Sequence, residues 1–177
     1  MSDLPRRKPN RLKAYDYSQN GAYFVTICAK DRHEIFGRII NGELVLNEYG
    51  MIVQDEIELI PKIRKECRIR YYVIMPNHIH LMVQIAAVGD DGNRPVDGNR
   101  PVDDVRADCH PPLRKTVSNM VQGFKGAVSR KIGYSIWQRS FHDHIVRNQD
   151  DYNRIAEYIE NNPTRWEQDC FYGEVPK

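Results

Sequence analysis

Two histidines separated by one hydrophobic residue lie in a segment whose other residues favour a buried strand. The segment reads PNHIHLM, from Pro76 to Met82, and strand-forming residues flank it on both sides. Successive side chains of a strand point to opposite faces, so His78 and His80 share one face. Ile79 and Leu81 share the other, which is therefore the core face. Two imidazoles with bases about 6 to 7 Å apart can converge on one ion, and the spacing predicts a metal site there.

The last predicted helix, residues 149 to 162, carries a tyrosine outside its apolar stripe. Ile155 and Ile159 belong to the stripe, whereas Tyr158 lies roughly 110° from the centre of the stripe on a helical wheel. Asn162 follows four residues later, so it lies one turn above Tyr158 on the same flank. Such a tyrosine is ordinarily a surface residue. Because His78 and His80 need a third ligand, we instead interpret Tyr158 and Asn162 as parts of the same metal site.

His78, His80 and Asn162 are neutral ligands, so a divalent cation bound to them keeps nearly its full charge for a phosphate oxygen. Imidazole nitrogen and amide oxygen suit Mn²⁺ better than Mg²⁺, and positions stay open for a substrate. The ion would act as a Lewis acid on a phosphodiester while Tyr158 attacks phosphorus. A phenol, with a pKa of about 10, is also a reasonable leaving group. These residue types therefore predict cleavage and rejoining of DNA strands without ATP.

The elements that position these residues alternate between strands and helices. Asn41-Gly42 is typical of a type I′ turn in a hairpin over residues 37 to 46. Strands around two crossing helices favour an α+β fold, with a ferredoxin-like antiparallel sheet, helices on one face and the active site on the other. Further strands are predicted at 22 to 30, on both sides of Pro76 and at 136 to 139, and helices at 48 to 63, 113 to 132 and 149 to 162.

A polar tandem repeat, DGNRPV-DGNRPV, interrupts this pattern after the histidine strand. Residues 87 to 112 lack hydrophobic periodicity, so we predict a flexible insertion there. Two copies are too few for a solenoid, which needs about three. The chain of 177 residues is otherwise long enough for one core, and a single domain over residues 1 to 177 is predicted.

The composition is that of an ordinary soluble protein and excludes several classes. The hydrophobic content is 41%, the charged content is 28% and the net charge is +2, so the overall charge does not indicate nucleic acid. The chain has neither an apolar run near the ~20 residues of a membrane span nor a signal-peptide core. Its scattered cysteines indicate reduced thiols, and we predict a cytoplasmic protein without a membrane partner. Basic clusters permit phosphate binding, and the candidate DNA contacts are Arg11, Lys13, Lys125, Arg139 and Arg147.

These motifs together resemble the His-hydrophobe-His (HUH) single-tyrosine transposases, and more closely the REP-associated tyrosine transposases. The H-x-H pair alone is unspecific, but its combination with a W-Q-R segment and with Y-I-x-x-N-P on the last helix is specific. The resemblance extends over nearly the whole chain, through the segments NRLKAYDYSQNGAYFVTIC, YYVIMPNHIHLMV and IWQRSFHDHIVRNQDDYNRIAEYIENNPTRW.

The resemblance implies metal-dependent cleavage and transfer of single-stranded DNA, the chemistry of DNA transposition. It implies Mg²⁺ or Mn²⁺ held by His78, His80 and Asn162, and it implies Tyr158 as the catalytic residue that bonds to a 5′ phosphate. The implied partner is hairpin DNA with a short guide sequence at its foot. The implied oligomeric state is a monomer, with a dimer as the alternative. The DGNRPV insertion departs from the family pattern.

Two other classes of function stay open. Ferredoxin-like sheets also bind nucleic acid without catalysis, which predicts binding that needs no metal and gives no covalent product. A structural zinc module could use His78 and His80 together with the FHDH pair, His142 and His144, and it predicts unfolding on chelation. The FHDH pair could also hold a second metal ion, and Asp143 could serve as a general base, although a structural or DNA-proximal role is favoured.

Overall fold

A computed structural model gives the fold of residues 20–86 and 117–173. Helix α1 begins where the Asn47 side chain accepts hydrogen bonds from the backbone N–H groups of Tyr49 and Gly50, both at 3.0 Å. A short 3-10 helix, Pro163–Gln168, follows the last α-helix. The strands and helices in chain order are β1 (Gly21–Cys28), β2 (Gly37–Ile40), β3 (Glu43–Leu46), α1 (Glu48–Ile63), β4 (Cys67–Ile74), β5 (His78–Ile85), α2 (Val117–Ile132), β6 (His142–Val146) and α3 (Gln149–Asn161).

The central sheet has four strands in the spatial order β4-β5-β1-β6, and all its neighbours are antiparallel. Helix α1 connects β1 to β4 and helix α2 connects β5 to β6, which gives the βαββαβ arrangement of a ferredoxin-like fold. The hairpin of β2 and β3 is a separate small sheet inserted before α1. Its turn residues Asn41 and Gly42 have φ angles of 54° and 77°, as the predicted type I′ turn requires. The predicted fold class is confirmed.

Helices α1 and α2 cover one face of the sheet with apolar side chains. Ile79 and Leu81 of β5 are completely buried there, as the alternation of this strand predicts. The partners of β5 in this core include Val53 and Ile57 of α1 and Met120, Val121 and Phe124 of α2. This face is the main hydrophobic core of the described residues.

Helix α3 lies on the opposite face of the sheet, together with the histidines. Its stripe residues Ile155, Ala156 and Ile159 pack against Ala22 of β1 and Met82 of β5. The helices are therefore divided between the two faces, two on the apolar face and α3 on the other. This placement brings the C-terminal end of α3 to the histidine pair.

The prediction of a strand at residues 136 to 139 is wrong. Trp137 makes only an isolated bridge to Ala29, and the edge strand β6 lies further along the chain. Ile136 and Trp137 are apolar because they anchor this segment in the core, where both are buried. Strand β6 alternates between exposed and partly buried residues at the sheet edge, so its sequence HDHIV carries little strand signal.

Several predictions fall outside the described residues. These are Arg11, Lys13, the insertion at 87 to 112 and the first residues of the helix predicted from 113. Among the helices that the structure does describe, none has the length and apolar character needed to cross a membrane.

Candidate active site

The two histidines meet at the start of β5, on the face that α3 covers. His78 and His80 are 0% and 2% exposed, and their Nε2 atoms are 3.0 Å apart. Both nitrogen atoms can bind one ion at this separation, because metal–imidazole bonds are about 2.0–2.1 Å long. The convergence that the alternation of β5 predicts is therefore present in the fold.

Asn77 fixes the orientation of the His78 ring. Its side-chain nitrogen donates to the backbone oxygen of Phe171 at 2.9 Å, so its Oδ1 faces His78. The distance from this Oδ1 to His78 Nδ1 is 2.8 Å, and Nδ1 must therefore carry the proton. The lone pair of Nε2 then points toward His80. Such a hydrogen bond behind a metal-binding histidine is the usual means of setting its tautomer.

Thr26 and Phe24 of β1 hold the His80 ring. The Thr26 hydroxyl lies 2.8 Å from His80 Nδ1, and the two residues are direct partners in the register of β1 and β5. The Phe24 ring stacks on the imidazole with a centroid distance of 5.0 Å. Because His78 Nε2 carries no proton, its hydrogen bond with His80 Nε2 places the proton of His80 on Nε2, and the Thr26 hydroxyl donates to Nδ1. A bound ion requires the other tautomer, which the same hydroxyl can serve by accepting.

Both imidazoles are neutral at physiological pH, which is the form that binds a metal. Burial lowers the pKa of His78 to about 3, with a smaller contribution from the positive charge of Arg32. Burial also lowers the pKa of His80 well below its ordinary value, and the neighbouring His78 acts in the same direction. Desolvation thus prepares the pair as a ligand set instead of a pair of cations.

Asp169 brings a carboxylate to the same place. One ligand atom from each of His78, His80 and Asp169 can be chosen so that all lie within 4.8 Å of one another. The backbone N–H of Phe171 donates to Asp169 Oδ1 at 2.8 Å and holds the carboxylate in position. The sequence does not predict Asp169, because it follows the 3-10 helix and belongs to no periodic pattern. Its only signal is an acidic residue shortly after Asn162.

Asn162 supplies an amide beside the histidines and the carboxylate. It is 3% exposed, and its Nδ2 donates to Asp169 Oδ2 at 3.1 Å. Its Oδ1 is buried and has no hydrogen-bond partner among the described residues. An unpaired buried oxygen costs about 1–3 kcal/mol, which a bound cation would offset. Two imidazoles, a carboxylate and this oxygen fit a divalent metal ion. The sequence predicts a neutral ligand set, but the Asp169 carboxylate adds a negative charge to it.

Tyr158 stands at the edge of this group, one helical turn before Asn162. Its hydroxyl donates to Asp169 Oδ2 at 3.1 Å and lies 3.3 Å from His80 Nε2. The side chain is 42% exposed and lines a cavity of about 220 Å³ that also contacts Arg165. Burial raises the pKa of Tyr158 far above its ordinary value, and the charge of Asp169 adds to this effect. The hydroxyl is therefore protonated and accessible from solvent.

The structure thus brings together the four residues that the sequence singles out for chemistry, and it separates the predicted DNA contacts. Lys125 is half-buried, and its Nζ donates to the backbone oxygens of Gln138 and Ser140 at 2.8 and 2.9 Å. Arg139 is exposed just before β6, and Arg147 is exposed just after it. These two arginines lie at opposite ends of the sheet. Their contact with DNA stays a prediction.

The FHDH pair does not join the histidines of β5. His142 and His144 are exposed on β6, and His144 Nε2 lies 2.8 Å from Asp151 Oδ2 at the start of α3. Within residues 20–86 and 117–173, the groups that could hold a metal ion do not include either of them. The described structure therefore gives His144 a role at the N-terminus of α3.

Comparisons with known proteins place the chain in a family. No model of a known protein family matches it. An uncharacterised protein of Haemophilus influenzae is 36% identical over 186 residues, which cover 96% of this chain and 94% of that protein. Identity at this level over nearly the full length of both chains shows a common family.

Solved structures of transposases have a similar fold. A REP-associated tyrosine transposase, solved bound to a REP hairpin, superposes with a TM-score of 0.57 at 20% identity and covers 94% of this chain and 74% of its own. A candidate transposase from Deinococcus radiodurans is more distant, with a TM-score of 0.46 at 17% identity over 85% of this chain and 97% of its own. The chain therefore belongs to one family with the Haemophilus influenzae protein, and its fold, with the His78–His80 pair on it, is that of a REP-associated tyrosine transposase.

Proposed function

We propose that this protein cleaves and rejoins single-stranded DNA at the foot of a hairpin, through a covalent bond between Tyr158 and a 5′ phosphate. The observation that carries the proposal is the position of the Tyr158 hydroxyl, 3.3 Å from Nε2 of His80 at the edge of a buried ligand group. The hairpin substrate rests on the solved transposase with the same fold, which binds a REP hairpin.

In the proposed reaction the Tyr158 oxygen attacks phosphorus and displaces the 3′ oxygen of the preceding nucleotide. The new bond is O–P and the broken bond is P–O3′. The Tyr158 proton passes to Asp169 Oδ2, which already accepts its hydrogen bond, and the released 3′ oxygen takes up a proton from solvent. Asp169 accepts the hydroxyl hydrogen bond of Tyr158 and so orients the attacking oxygen. Attack by a free 3′-hydroxyl on the phosphotyrosine reverses the step, because the link retains the energy of the phosphodiester.

His78, His80, Asn162 and Asp169 would hold the divalent ion, Mn²⁺ or Mg²⁺. When bound, it would act as a Lewis acid and stabilise the negative charge that develops at the scissile phosphate. Asn77 and Thr26 orient the imidazoles, and burial keeps them neutral.

The test uses single strands from the flanks of the protein's own gene, incubated with Mn²⁺. The expected product is a protein–DNA adduct that survives denaturing electrophoresis and maps to Tyr158 by peptide mass. Tyr158→Phe should bind the same DNA and unfold at the same temperature as wild type, but form no adduct. Tyr134→Phe is the matched control, since Tyr134 is also an exposed tyrosine whose hydroxyl makes a hydrogen bond, and it should stay active.

Other outcomes point to the alternatives. DNA binding by the wild type without an adduct at any metal concentration would indicate a non-catalytic binding domain. Unfolding on chelation would indicate a structural zinc module. An adduct that persists in Tyr158→Phe and maps to another tyrosine would overturn the assignment of the nucleophile.

A further inference from the structure

A second polar feature adjoins the site at the end of the sheet where β1 ends and β5 begins. A groove of about 520 Å³ lies between residues 30–32 and residues 135–139. Its lining includes the cations Lys30, Arg32 and Arg139 and a single carboxylate, Asp31. The excess of positive charge is local, because the whole chain has a net charge of only +2. A groove of this kind complements a chain of phosphates.

The floor of the groove is rigid. Trp137 is 6% exposed, and its ring lies 5.4 Å from that of Phe36 and 5.6 Å from that of Phe124. The backbone N–H of Lys30 donates to the backbone oxygen of Ile136 at 2.7 Å, so the two walls are joined directly. The buried indole cannot stack on a base. Binding in this groove is therefore expected to depend on its charged side chains and not on stacking against Trp137.

Hydrogen bonds from Lys125 hold the backbone at the floor of the groove. Its ammonium group donates to the carbonyls of Gln138 and Ser140, the residues on either side of Arg139. The Trp137 indole in turn donates to the Lys125 carbonyl at 3.1 Å. These bonds fix the backbone of the W-Q-R segment and leave Arg139 pointing away from it, exposed to solvent. The segment is thus built to present a guanidinium group.

Two ring contacts connect the groove to the proposed active site. The Arg32 guanidinium lies 5.0 Å from the centre of the Phe171 ring, and that ring lies 4.5 Å from the His78 imidazole. Asp31 and Arg32 have φ angles of 54° and 53°, a left-handed conformation that is strained for residues other than glycine. Only the ring of Phe171 therefore separates the Arg32 end of the groove from the His78 imidazole.

We propose that this groove binds the phosphodiester backbone of the single-stranded DNA segment next to the scissile phosphate, with Lys30 and Arg139 as the principal phosphate contacts. The inference rests on the proposed function for its substrate. Lys30 and Arg139 are exposed, and neither side chain makes a hydrogen bond or ion pair with any residue in the described ranges. Their charges are consequently available to a ligand. Arg32, placed over Phe171, lines the passage from the groove to the site.

The test measures equilibrium binding of an unstructured oligonucleotide by fluorescence anisotropy, with chelator present so that no cleavage occurs. For each phosphate that a variant no longer neutralises, the slope of log K against log salt should become shallower by about 0.7. Arg139→Gln and Lys30→Gln should each show this change, and the double variant should show about twice as much. Lys62→Gln is the control, because Lys62 is an exposed lysine on α1 that does not line the groove. It should leave the slope unchanged.

A second measurement locates the contact on the DNA. Replacing single phosphates by neutral methylphosphonates should weaken binding to the wild type at one or two positions beside the cleavage site. The same replacements should have no further effect on Arg139→Gln. Equal slopes for Arg139→Gln and Lys62→Gln would overturn the proposal even if the Tyr158 adduct forms. A slope change without any adduct would keep the groove and reject the cleavage reaction instead.

Discussion

The two faces of the central sheet use the same strands but bury different kinds of side chain. On one face, Ile79 and Leu81 of β5 pack against α1 and α2, and the contact is entirely apolar. On the other, His78 and His80 of the same strand are equally buried but touch Asn77, Thr26 and one another. The apolar face gains stability from every methylene it removes from water. Burial of the histidine face costs hydration free energy of polar groups, and only hydrogen bonds or a bound ion offset this cost.

This difference teaches where the protein's stability and its chemistry reside. The apolar face contributes hydrophobic burial alone, whereas the histidine face carries strongly lowered histidine pKa values and an unpaired amide oxygen. Perturbed groups of this kind cluster at functional sites more often than in ordinary cores. Substitutions on the two faces should therefore separate folding from metal binding.

The largest effect is expected from Leu81→Ala on the apolar face. Leu81 is completely buried, and its truncation should lower the free energy of unfolding by about 2–5 kcal/mol. Denaturant titration measures this loss. Leu81→Met is the matched control and should cost less than about 1.5 kcal/mol, since it conserves volume. Both variants should keep the wild-type affinity for Mn²⁺, and a metal affinity that fell with stability would show that the two faces are not independent.

Metal binding should give the next largest effect, and only through the histidine face. Mn²⁺ at 100 times its dissociation constant should stabilise the folded protein by about 2.7 kcal/mol. His78→Ala and His80→Ala should each abolish this stabilisation, because the remaining histidine cannot hold the ion alone. Thermal unfolding with and without Mn²⁺ measures the shift, with the exposed His144→Ala as the control. Equal stabilisation of all these proteins would place the ion elsewhere.

Asn77→Ser tests whether the hydrogen bond between Asn77 and His78 raises the affinity of the site for metal. The substitution removes the acceptor that fixes the His78 tautomer, and residues in this role typically change metal affinity about 10- to 100-fold. Calorimetric titration with Mn²⁺ should show this weakening while the folded structure persists. Asn153→Ser, at an exposed position of α3, should leave the affinity unchanged. An unaltered affinity in Asn77→Ser would mean that the packing around the ring orients His78 unaided.

The smallest expected effect is the change in the free energy of unfolding per pH unit in the metal-free protein. Burial lowers the pKa of His78 to about 3, below the value of about 6.5 in the unfolded chain. The unfolded state therefore binds more protons between these values, and stability falls as the pH decreases through this window. Each buried histidine contributes up to about 1.4 kcal/mol per pH unit. Denaturant titrations at several pH values should show a smaller slope in His78→Asn, whereas an identical slope would contradict the buried neutral state.

Patterns of short range were sufficient to predict much of the fold. The turn at Asn41-Gly42, the bounds of α1 and the opposite faces of β5 all follow from backbone preferences and from periods of two or 3.6 residues. The edge strand β6 escaped prediction because His142, Asp143 and His144 are all polar, so its alternating exposure leaves no alternation of apolar and polar residues in the sequence. The apolar Ile136 and Trp137 indicate a strand in its place, although they anchor a loop.

Local spacing alone places His78 and His80 on one strand face and Tyr158 and Asn162 on one helix flank. That these two pairs meet depends on tertiary packing, because the side of the sheet on which α3 packs is set by its contacts with Ala22 and Met82. The position of the Asp169 carboxylate also depends on tertiary packing, because the 3-10 helix after α3 brings it back against Tyr158 and Asn162. Local spacing specifies which side chains point together along one element. The distance between elements is set by packing of residues far apart in the chain, which no local pattern records.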